Sequence, residues 1–109
     1  MSHFHTLTVK SIKRQTQKAV QVFFDIPEEL TDTFNFQPGQ YITLSTKIDG
    51  QEVRRSYSIC TTPEEGLAVV VKAIENGVFS NYVNDQLKAG DTLEVMPPEG
   101  HFVIERQAE

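Results

Sequence analysis

The sequence predicts an all-β fold, a small antiparallel barrel of six strands with one helix that closes an end. Six short segments are rich in β-branched and aromatic residues, and most of them alternate apolar with polar positions. Turn signals such as Pro38-Gly39 and Asp49-Gly50 separate neighbouring segments. Only one segment, between the last two strands, has the spacing of a helix.

Composition limits the classes of protein to which the chain can belong. Its 109 residues are enough for one domain with one modest core, so residues 1–109 are taken as a single barrel domain. The lone Cys60 excludes an internal disulfide and a four-cysteine iron–sulfur cluster, and we interpret it as a small buried apolar group. A net charge of −5 argues against a general nucleic-acid surface.

Neither a leader nor a membrane span is evident. The first residues lack the basic and apolar regions of a signal peptide. The longest apolar run, residues 67–71, is far too short to cross a bilayer. We therefore expect a cytoplasmic protein with no membrane partner.

The first half of the chain is predicted to hold four strands, at residues 7–12, 19–24, 41–45 and about 52–59. Between the second and third strands, Pro27 opens a loop that is expected to contain one helical turn. Phe34 and Phe36 are expected to anchor that loop to the core. Gln37-Pro38-Gly39-Gln40 has Pro and Gly at the positions that a tight turn requires.

The second half is predicted to hold a buried strand at 67–74, a helix at 80–88 and a last strand at 91–96. The helix is indicated by the spacing of its apolar residues and by Ala89-Gly90, which places glycine just past the last turn. The apolar residues concerned are Phe79, Tyr82, Val83 and Leu87.

The fourth strand carries a polar and aromatic insert, Arg54-Arg55-Ser56-Tyr57-Ser58. Strand alternation puts Arg55 and Tyr57 on one face and Ser58 on the other. A guanidinium beside an aromatic ring suits a ligand with a phosphate at one end and a flat ring at the other. The strand would have to end or twist near Ser58 for all three to meet one ligand. An exposed strand with paired polar side chains is the commoner explanation of such a tetrapeptide.

Asn76-Gly77-Val78-Phe79-Ser80 joins the fifth strand to the start of the helix. The first N–H groups of a helix lack internal partners and attract anions. Gly77 permits close approach of the backbone, and Ser80 is a candidate either for capping the helix or for binding a phosphate oxygen. An ordinary strand-to-helix turn with a plain cap explains the same residues.

Three segments in order resemble the flavin-binding domain of the ferredoxin–NADP reductase superfamily, most closely the reductases that serve bacterial oxygenases. They are Arg55-Ser56-Tyr57-Ser58, Gly77-Val78-Phe79-Ser80 and Pro98-Glu99-Gly100-His101-Phe102. Pro38-Gly39-Gln40-Tyr41 also resembles the family's turn before the third strand. The resemblance implies a six-stranded Greek-key barrel that holds FAD or, less often, FMN.

The resemblance also implies roles for individual residues. Arg55 would contact the flavin phosphate, Tyr57 would stack on the ring, and Ser58 would hydrogen-bond near the reactive ring nitrogen. Tyr57 and Ser58 are therefore the candidate catalytic residues. The candidate cofactor-binding set is Arg55, Ser56, Tyr57, Ser58, Lys72, Gly77, Val78, Phe79 and Ser80.

For three residues in or beside this set, the sequence departs from the family pattern or leaves an alternative role open. Asn76 stands where the family often has the first of two paired glycines, and Asn tolerates the left-handed conformation. Arg54 is an alternative to Arg55 for the phosphate, on the opposite face. Lys72 is either a helper of the phosphate turn or a solvated lysine at the end of a strand.

Members of the family continue into a nicotinamide-binding domain, and many add an iron–sulfur module. This sequence contains no Gly-x-Gly-x-x-Gly turn and no βαβ pattern. We expect one domain of a longer NAD(P)H oxidoreductase rather than a naturally short flavin carrier, with electrons passing by way of FAD to an iron–sulfur acceptor or oxygenase.

The rival function is a binding barrel without catalysis, for example one that binds oligonucleotides. The acidic composition and the lack of interleaved basic and aromatic residues count against it. No metal site is expected, because His3, His5 and His101 show no ligand spacing.

Overall fold

The computed structural model describes residues 4–100, which form one antiparallel sheet, one α-helix and one turn of 3₁₀ helix. The strands are β1 (His5–Thr16), β2 (Ala19–Asp25), β3 (Tyr41–Ile48), β4 (Gln51–Ser58), β5 (Ala68–Lys72) and β6 (Thr92–Val95). The helix α1 spans Val78–Asp85, and the 3₁₀ turn spans Glu28–Leu30. The all-β prediction with six strands and one helix is confirmed.

The strand order is β4-β3-β6-β1-β2-β5, so β6 returns to lie between β1 and β3 in a Greek-key connection. The outer strands β4 and β5 approach each other where the chain leaves β4. There Ile59 forms a bridge with Val69, and the Cys60 N–H donates to the Ala68 carbonyl at 3.0 Å. The sheet thus curls on itself without closing through a continuous ladder.

The core lies inside this curled sheet and under α1. In β1 and β3, alternate residues such as Leu7, Val9, Ile42 and Leu44 point inward, which produces the period of two seen in the sequence. Phe34 and Phe36 are buried, so the predicted anchoring of the loop after β2 is confirmed. The fully buried large side chains are Phe79, Leu7, Ile42, Leu44, Leu67, Leu93, Val9, Val20, Val22, Val69, Val71 and Val83.

Several predicted boundaries are wrong by a few residues. β1 continues to Thr16, because its exposed second half stays paired with β2 up to the pair Thr16–Ala19. β3 likewise continues to Ile48, while β5 is shorter than predicted and ends at Lys72. The helix begins at Val78 rather than residue 80, because Gly77 already serves as its N-cap.

The helix also ends at Asp85 instead of continuing to residue 88. Gln86 leaves helical geometry, with φ −123° and ψ −27°. The expected turn geometries are confirmed at two places that need a left-handed backbone. Asp49 and Gly50 have φ of 53° and 83°, and Asn76 has φ of 63°.

The prediction for Cys60 is wrong, because its side chain is exposed. Ile59 takes the inward position, so alternation sends Cys60 to the opposite face. Its sulfur lies 3.4 Å from the Ala68 carbonyl oxygen and 3.4 Å from the Gln21 amide nitrogen. No helix within residues 4–100 is long and apolar enough to cross a membrane.

Candidate functional site

The first motif lies on β4, an edge strand of the sheet. Tyr57 is paired with Ile42 and Arg55 with Leu44, so both side chains are on the face that covers the core. Tyr57 is half-buried, whereas Arg55 is exposed because β4 has no neighbour on its outer side at that level. β4 ends at Ser58, the point where a shared ligand site requires the strand to end or twist.

The second motif reaches the first through a contact between two aromatic rings. The centroids of Tyr57 and Phe79 are 5.9 Å apart, and the ring planes are inclined by 30°. Phe79 lies in the first turn of α1 and is fully buried. Tyr57 therefore lies beside the start of α1, as one ligand spanning both motifs would require.

Burial also sets the protonation of the Tyr57 phenol. It raises the pKa of Tyr57 above 10.0, and the nearby positive charge of Arg55 opposes this increase. The phenol is protonated at neutral pH even at an ordinary tyrosine pKa, and the shift moves its ionisation further from neutrality. It can act as a hydrogen-bond donor while its ring presents an aromatic surface.

The two adjacent arginines have different surroundings. Arg54 Nε donates to Glu52 Oε2 at 3.0 Å, and its guanidinium carbon lies 4.9 Å from the centre of the Phe4 ring. The hydrogen bond from Arg54 and a second from the Ser45 hydroxyl hold the pKa of Glu52 below its ordinary value. Arg54 is thus engaged on the outer face of the sheet.

Arg55 makes only one side-chain hydrogen bond to residues 4–100, from Nη1 to the Arg54 carbonyl oxygen at 2.6 Å. The rest of its guanidinium is exposed and lies on the same face as Tyr57. Of the two arginines, Arg55 is therefore the one that can bind a phosphate beside the tyrosine ring.

The N-terminus of α1 presents backbone donors. No acceptor within residues 4–100 pairs with the N–H groups of Val78, Phe79 or Ser80, and no side chain caps the helix. A Cβ on Gly77 would lie 2.5 Å from Ser80 Oγ and 2.6 Å from Ile74 Cγ1. The turn requires glycine there, and its unpaired donors fit an anion.

The Ser80 hydroxyl belongs to the turn itself. It accepts a hydrogen bond from the Ile74 N–H at 3.2 Å and donates to the Gly77 carbonyl at 3.4 Å, and the side chain is buried. It does not cap the helix, because Gly77 occupies that position. Ser80 can therefore offer an anion its backbone N–H, while its hydroxyl holds the turn together.

Asn81 is a residue of the candidate site that the sequence analysis missed. Its Nδ2 donates to the Gly77 carbonyl at 2.7 Å and to the Ile74 carbonyl at 2.9 Å. Both acceptors belong to the turn before α1, so Asn81 fixes the same loop as Ser80. An amide four residues after a glycine N-cap is the signal that could have indicated this role.

The structure does not bring every predicted side chain to the tyrosine. The Ser56 hydroxyl lies 2.8 Å from the Thr43 hydroxyl, on the face opposite Tyr57. Lys72 is exposed beside the fully buried Val71, so alternation directs it away from the core. Val78 is 52% exposed at the helix start, whereas Phe79 is fully buried in the core.

The third motif reaches the first by way of Tyr41. Tyr41 is paired with Ser58 on one side, and on the other it exchanges backbone hydrogen bonds of 3.0 and 2.9 Å with Glu99. Gly100 lies against the Tyr41 ring, and its carbonyl accepts a hydrogen bond from Gln40 Nε2 at 3.1 Å. The remaining residues of this motif, His101 and Phe102, lie outside the described part of the chain.

Of the three histidines, the structure describes only His5. His5 lies in β1, and the centre of its ring is 5.6 Å from the centre of the Phe34 ring in an edge-on arrangement. His3 and His101 are outside residues 4–100, and within that range no three potential ligands cluster.

Residues 6–104 match the family model described as the oxidoreductase FAD-binding domain. The chain belongs to this family. It is 46% identical to one of the subunits of the 1,2-phenylacetyl-CoA epoxidase of Escherichia coli, across 100% of this chain and 31% of that protein. It is 37% identical to the 3-ketosteroid-9-alpha-monooxygenase ferredoxin reductase component of Rhodococcus rhodochrous, across 88% of this chain and 28% of that protein.

Among solved structures, the fold is similar to a flavohemoglobin from Malassezia yamatoensis determined with bound FAD and heme. The TM-score is 0.79 at 20% identity, and the match covers 94% of this chain and 27% of that one. The chain spans less than a third of the length of each of the two curated relatives. Family membership supports FAD binding over the rival prediction of an oligonucleotide-binding barrel.

Proposed function

We propose that this chain is the flavin-binding part of an NAD(P)H-dependent reductase that delivers electrons through FAD to an iron–sulfur acceptor or an oxygenase. The contact of Tyr57 with Phe79 carries most of this proposal, since it joins an aromatic surface to a row of unpaired N–H groups. FAD has a flat ring and a pyrophosphate in one molecule, which are the two chemistries that these surfaces accept.

Binding is divided between side chains and backbone in this proposal. The Arg55 guanidinium donates to a phosphate oxygen, and the N–H groups of Val78, Phe79 and Ser80 donate to the pyrophosphate. Gly77 keeps the turn in the shape that presents these N–H groups, because a Cβ at this position would collide with Ser80 Oγ. Lys72 adds positive charge near the end of β5 at most, since it points away from the core.

The residues next to the reacting ring orient it and exclude water. Bound flavin supplies the capacity to accept a hydride and to release single electrons. Tyr57 covers the ring with an aromatic surface, and Ser58 places a hydroxyl at the reactive edge, where the strand ends. Ser56 supports this strand end through its hydroxyl contact with Thr43.

The partners follow from the two curated relatives. One is named as part of an epoxidase and the other as a ferredoxin reductase component of a monooxygenase. We infer that this chain acts with a nicotinamide-binding domain and that an oxygenase system receives its electrons. Within residues 4–100 the sheet is wholly antiparallel, with no βαβ unit to hold a nicotinamide.

Titration of the apo-protein with FAD tests the proposal directly. We expect saturable quenching of flavin fluorescence, and no binding of a single-stranded oligonucleotide under the same conditions. A chain that binds the oligonucleotide but not FAD would contradict the proposed function.

A second measurement tests whether NAD(P)H oxidation requires a nicotinamide-binding domain in addition to this chain. The 109-residue chain loaded with FAD is expected to show no saturable NADH or NADPH oxidation above that of free flavin, because proximity of the two rings provides much of the rate. Rapid, saturable bleaching in a stopped-flow experiment would place a nicotinamide site in this chain instead.

A further inference from the structure

Arg14, near the end of β1, holds the last turn of α1. Its Nη1 donates to Asn84 Oδ1 at 3.0 Å, and its Nη2 donates to the Asn84 carbonyl oxygen at 2.8 Å. Nη1 also lies 3.2 Å from the Gln17 carbonyl oxygen. The guanidinium thus connects the β1–β2 hairpin to the helix by two directed hydrogen bonds.

Asn84 connects Arg14 to two further backbone carbonyl groups. The residue is only 9% exposed, and its Nδ2 donates to the Val71 carbonyl at 3.1 Å and the Ser80 carbonyl at 2.9 Å. Both protons of the amide and its oxygen have partners, so the side chain has one satisfied orientation. Through Asn84, Arg14 fixes α1 relative to β5.

The network continues to the phosphate-binding end of the helix. Ser80, whose carbonyl receives the Asn84 amide, holds the preceding turn through its hydroxyl bonds to Ile74 and Gly77. Polar contacts therefore run without a gap from the β1–β2 hairpin to the turn that precedes the unpaired N–H groups.

Charge favours the same arrangement. The carbonyl end of a helix carries partial negative charge, and α1 has no basic residue of its own in its last turn. Arg14 supplies a positive charge there from β1, on the opposite end of the helix from the site proposed for the pyrophosphate.

We propose that Arg14 is a positioning residue for flavin phosphate binding, which acts through Asn84 to fix the first turn of α1 relative to Arg55 and Tyr57. This inference rests on the proposed function. Hydrogen bonds weaken steeply when donor and acceptor are misaligned. A small displacement of α1 therefore weakens the bonds to phosphate, whereas Tyr57 can still stack on the flavin ring from its place on β4.

The test compares three flavins that share a ring but differ in phosphate content. Dissociation constants for FAD, FMN and riboflavin are measured by fluorescence titration for the wild-type chain and for Arg14→Ala. We expect Arg14→Ala to weaken FAD and FMN binding about tenfold, the consequence of one poorly aligned charge-assisted hydrogen bond. Riboflavin binding is expected to change less than twofold.

Two further variants separate positioning from charge. Lys10→Ala removes an exposed positive charge from the same strand and is expected to leave all three dissociation constants unchanged. Asn84→Ala is expected to reproduce the loss of Arg14→Ala. The double variant should be no weaker than the single variants, because both substitutions interrupt one network.

Each outcome is decisive. Equal losses for the three flavins, or unchanged FMN binding in a folded variant, would overturn the positioning role. If Arg14→Ala fails to fold, Arg14→Lys replaces it, because lysine retains the charge without the two-nitrogen fork. Arg14→Lys must then weaken FMN binding more than riboflavin binding. A wild-type chain that binds no flavin would instead contradict the proposed function itself.

Discussion

The two halves of the candidate site present their chemistry in opposite ways. On β4, Arg55 and Tyr57 direct side-chain groups toward the space that a ligand would occupy. At the start of α1, the polar side chains of Ser80 and Asn81 bond to the preceding turn, and the backbone N–H groups of Val78, Phe79 and Ser80 have no acceptor within residues 4–100. In the proposed site, a substitution on β4 therefore changes a ligand contact, whereas one in the turn changes the shape that presents the backbone.

Gly77→Ala should produce the largest effect, because it acts on the turn as a whole. The new methyl would lie 2.5 Å from Ser80 Oγ, and we expect a loss of about 3 kcal/mol in the free energy of unfolding, at the upper end of overpacking effects. Binding of FAD and FMN should weaken as well. Urea unfolding measures the first effect and fluorescence titration the second.

Gly50→Ala provides the matched control for this prediction. Gly50 has φ of 83° and nothing within 4 Å of a new Cβ, so only backbone strain of about 1–2 kcal/mol should appear. Flavin binding should stay unchanged. If Gly77→Ala proves no less stable than Gly50→Ala, the close packing of the turn is not what requires glycine at position 77.

Arg55→Ala should remove a side-chain contact to phosphate and leave the turn intact. We expect FAD and FMN to lose about 2 kcal/mol of binding free energy, within the range for a hydrogen bond to a charged group. Riboflavin should bind as before, because it has no phosphate. Isothermal titration with the three flavins distinguishes these cases, and an equal loss for all three would assign Arg55 to the ring or to the fold.

Arg54→Ala is the neighbouring control. Its ion pair with Glu52 is exposed, with relative side-chain accessibilities of 58% and 51%, and such pairs contribute under about 1 kcal/mol. Flavin affinity should not change. A loss equal to that of Arg55→Ala would show that both faces of β4 contribute to phosphate binding.

Tyr57→Ala should weaken the binding of all three flavins equally, by about 1–2 kcal/mol, because the ring is the part that they share. It should also lower the melting temperature, since Tyr57 packs on Phe79. Tyr57→Phe retains the ring and should preserve both properties. A larger loss for FAD than for riboflavin would contradict a stacking role, as measured by fluorescence titration.

The smallest expected effect is a pH dependence of stability. Burial raises the pKa of Tyr57 in the folded state above 10.0, so the folded state holds the phenolic proton at pH values where the unfolded state has lost it. Stability should be intact below pH 10, decrease as pH rises through the folded pKa and then level off. Urea unfolding of the apo-protein should show a shallower decrease in Tyr57→Phe. Identical pH profiles would contradict the burial effect.

Much of the site was predictable because its signals are local. Asp49-Gly50 and Asn76 predicted left-handed turns, since few residues tolerate positive φ. Strand alternation predicted that Arg55 and Tyr57 share a face. The helix termini were less predictable, because Gly77 is the N-cap while the apolar spacing alone suggested a start at Ser80.

Other predictions depended on contacts that strand alternation and turn signals do not specify. Cys60 was expected to be buried. Ile59, which bridges to Val69, takes the inward position instead, and the Cys60 side chain is exposed. The Ser80 hydroxyl was a candidate phosphate ligand, and the choice between Arg54 and Arg55 was open. The structure pairs the Ser80 hydroxyl with Ile74 and Arg54 with Glu52 and Phe4, contacts that only the folded backbone shows.

The sequence by itself determined the strands, the turns and the kinds of chemical group in each motif, because backbone preferences and side-chain period act over a few residues. The tertiary structure alone decided which groups meet. The contact between Tyr57 and Phe79 and the bonds from Arg14 to Asn84 both join distant segments. Such contacts depend on the curl of the sheet and on the position of α1 against it. Both are set by packing across the whole core rather than by local sequence pattern.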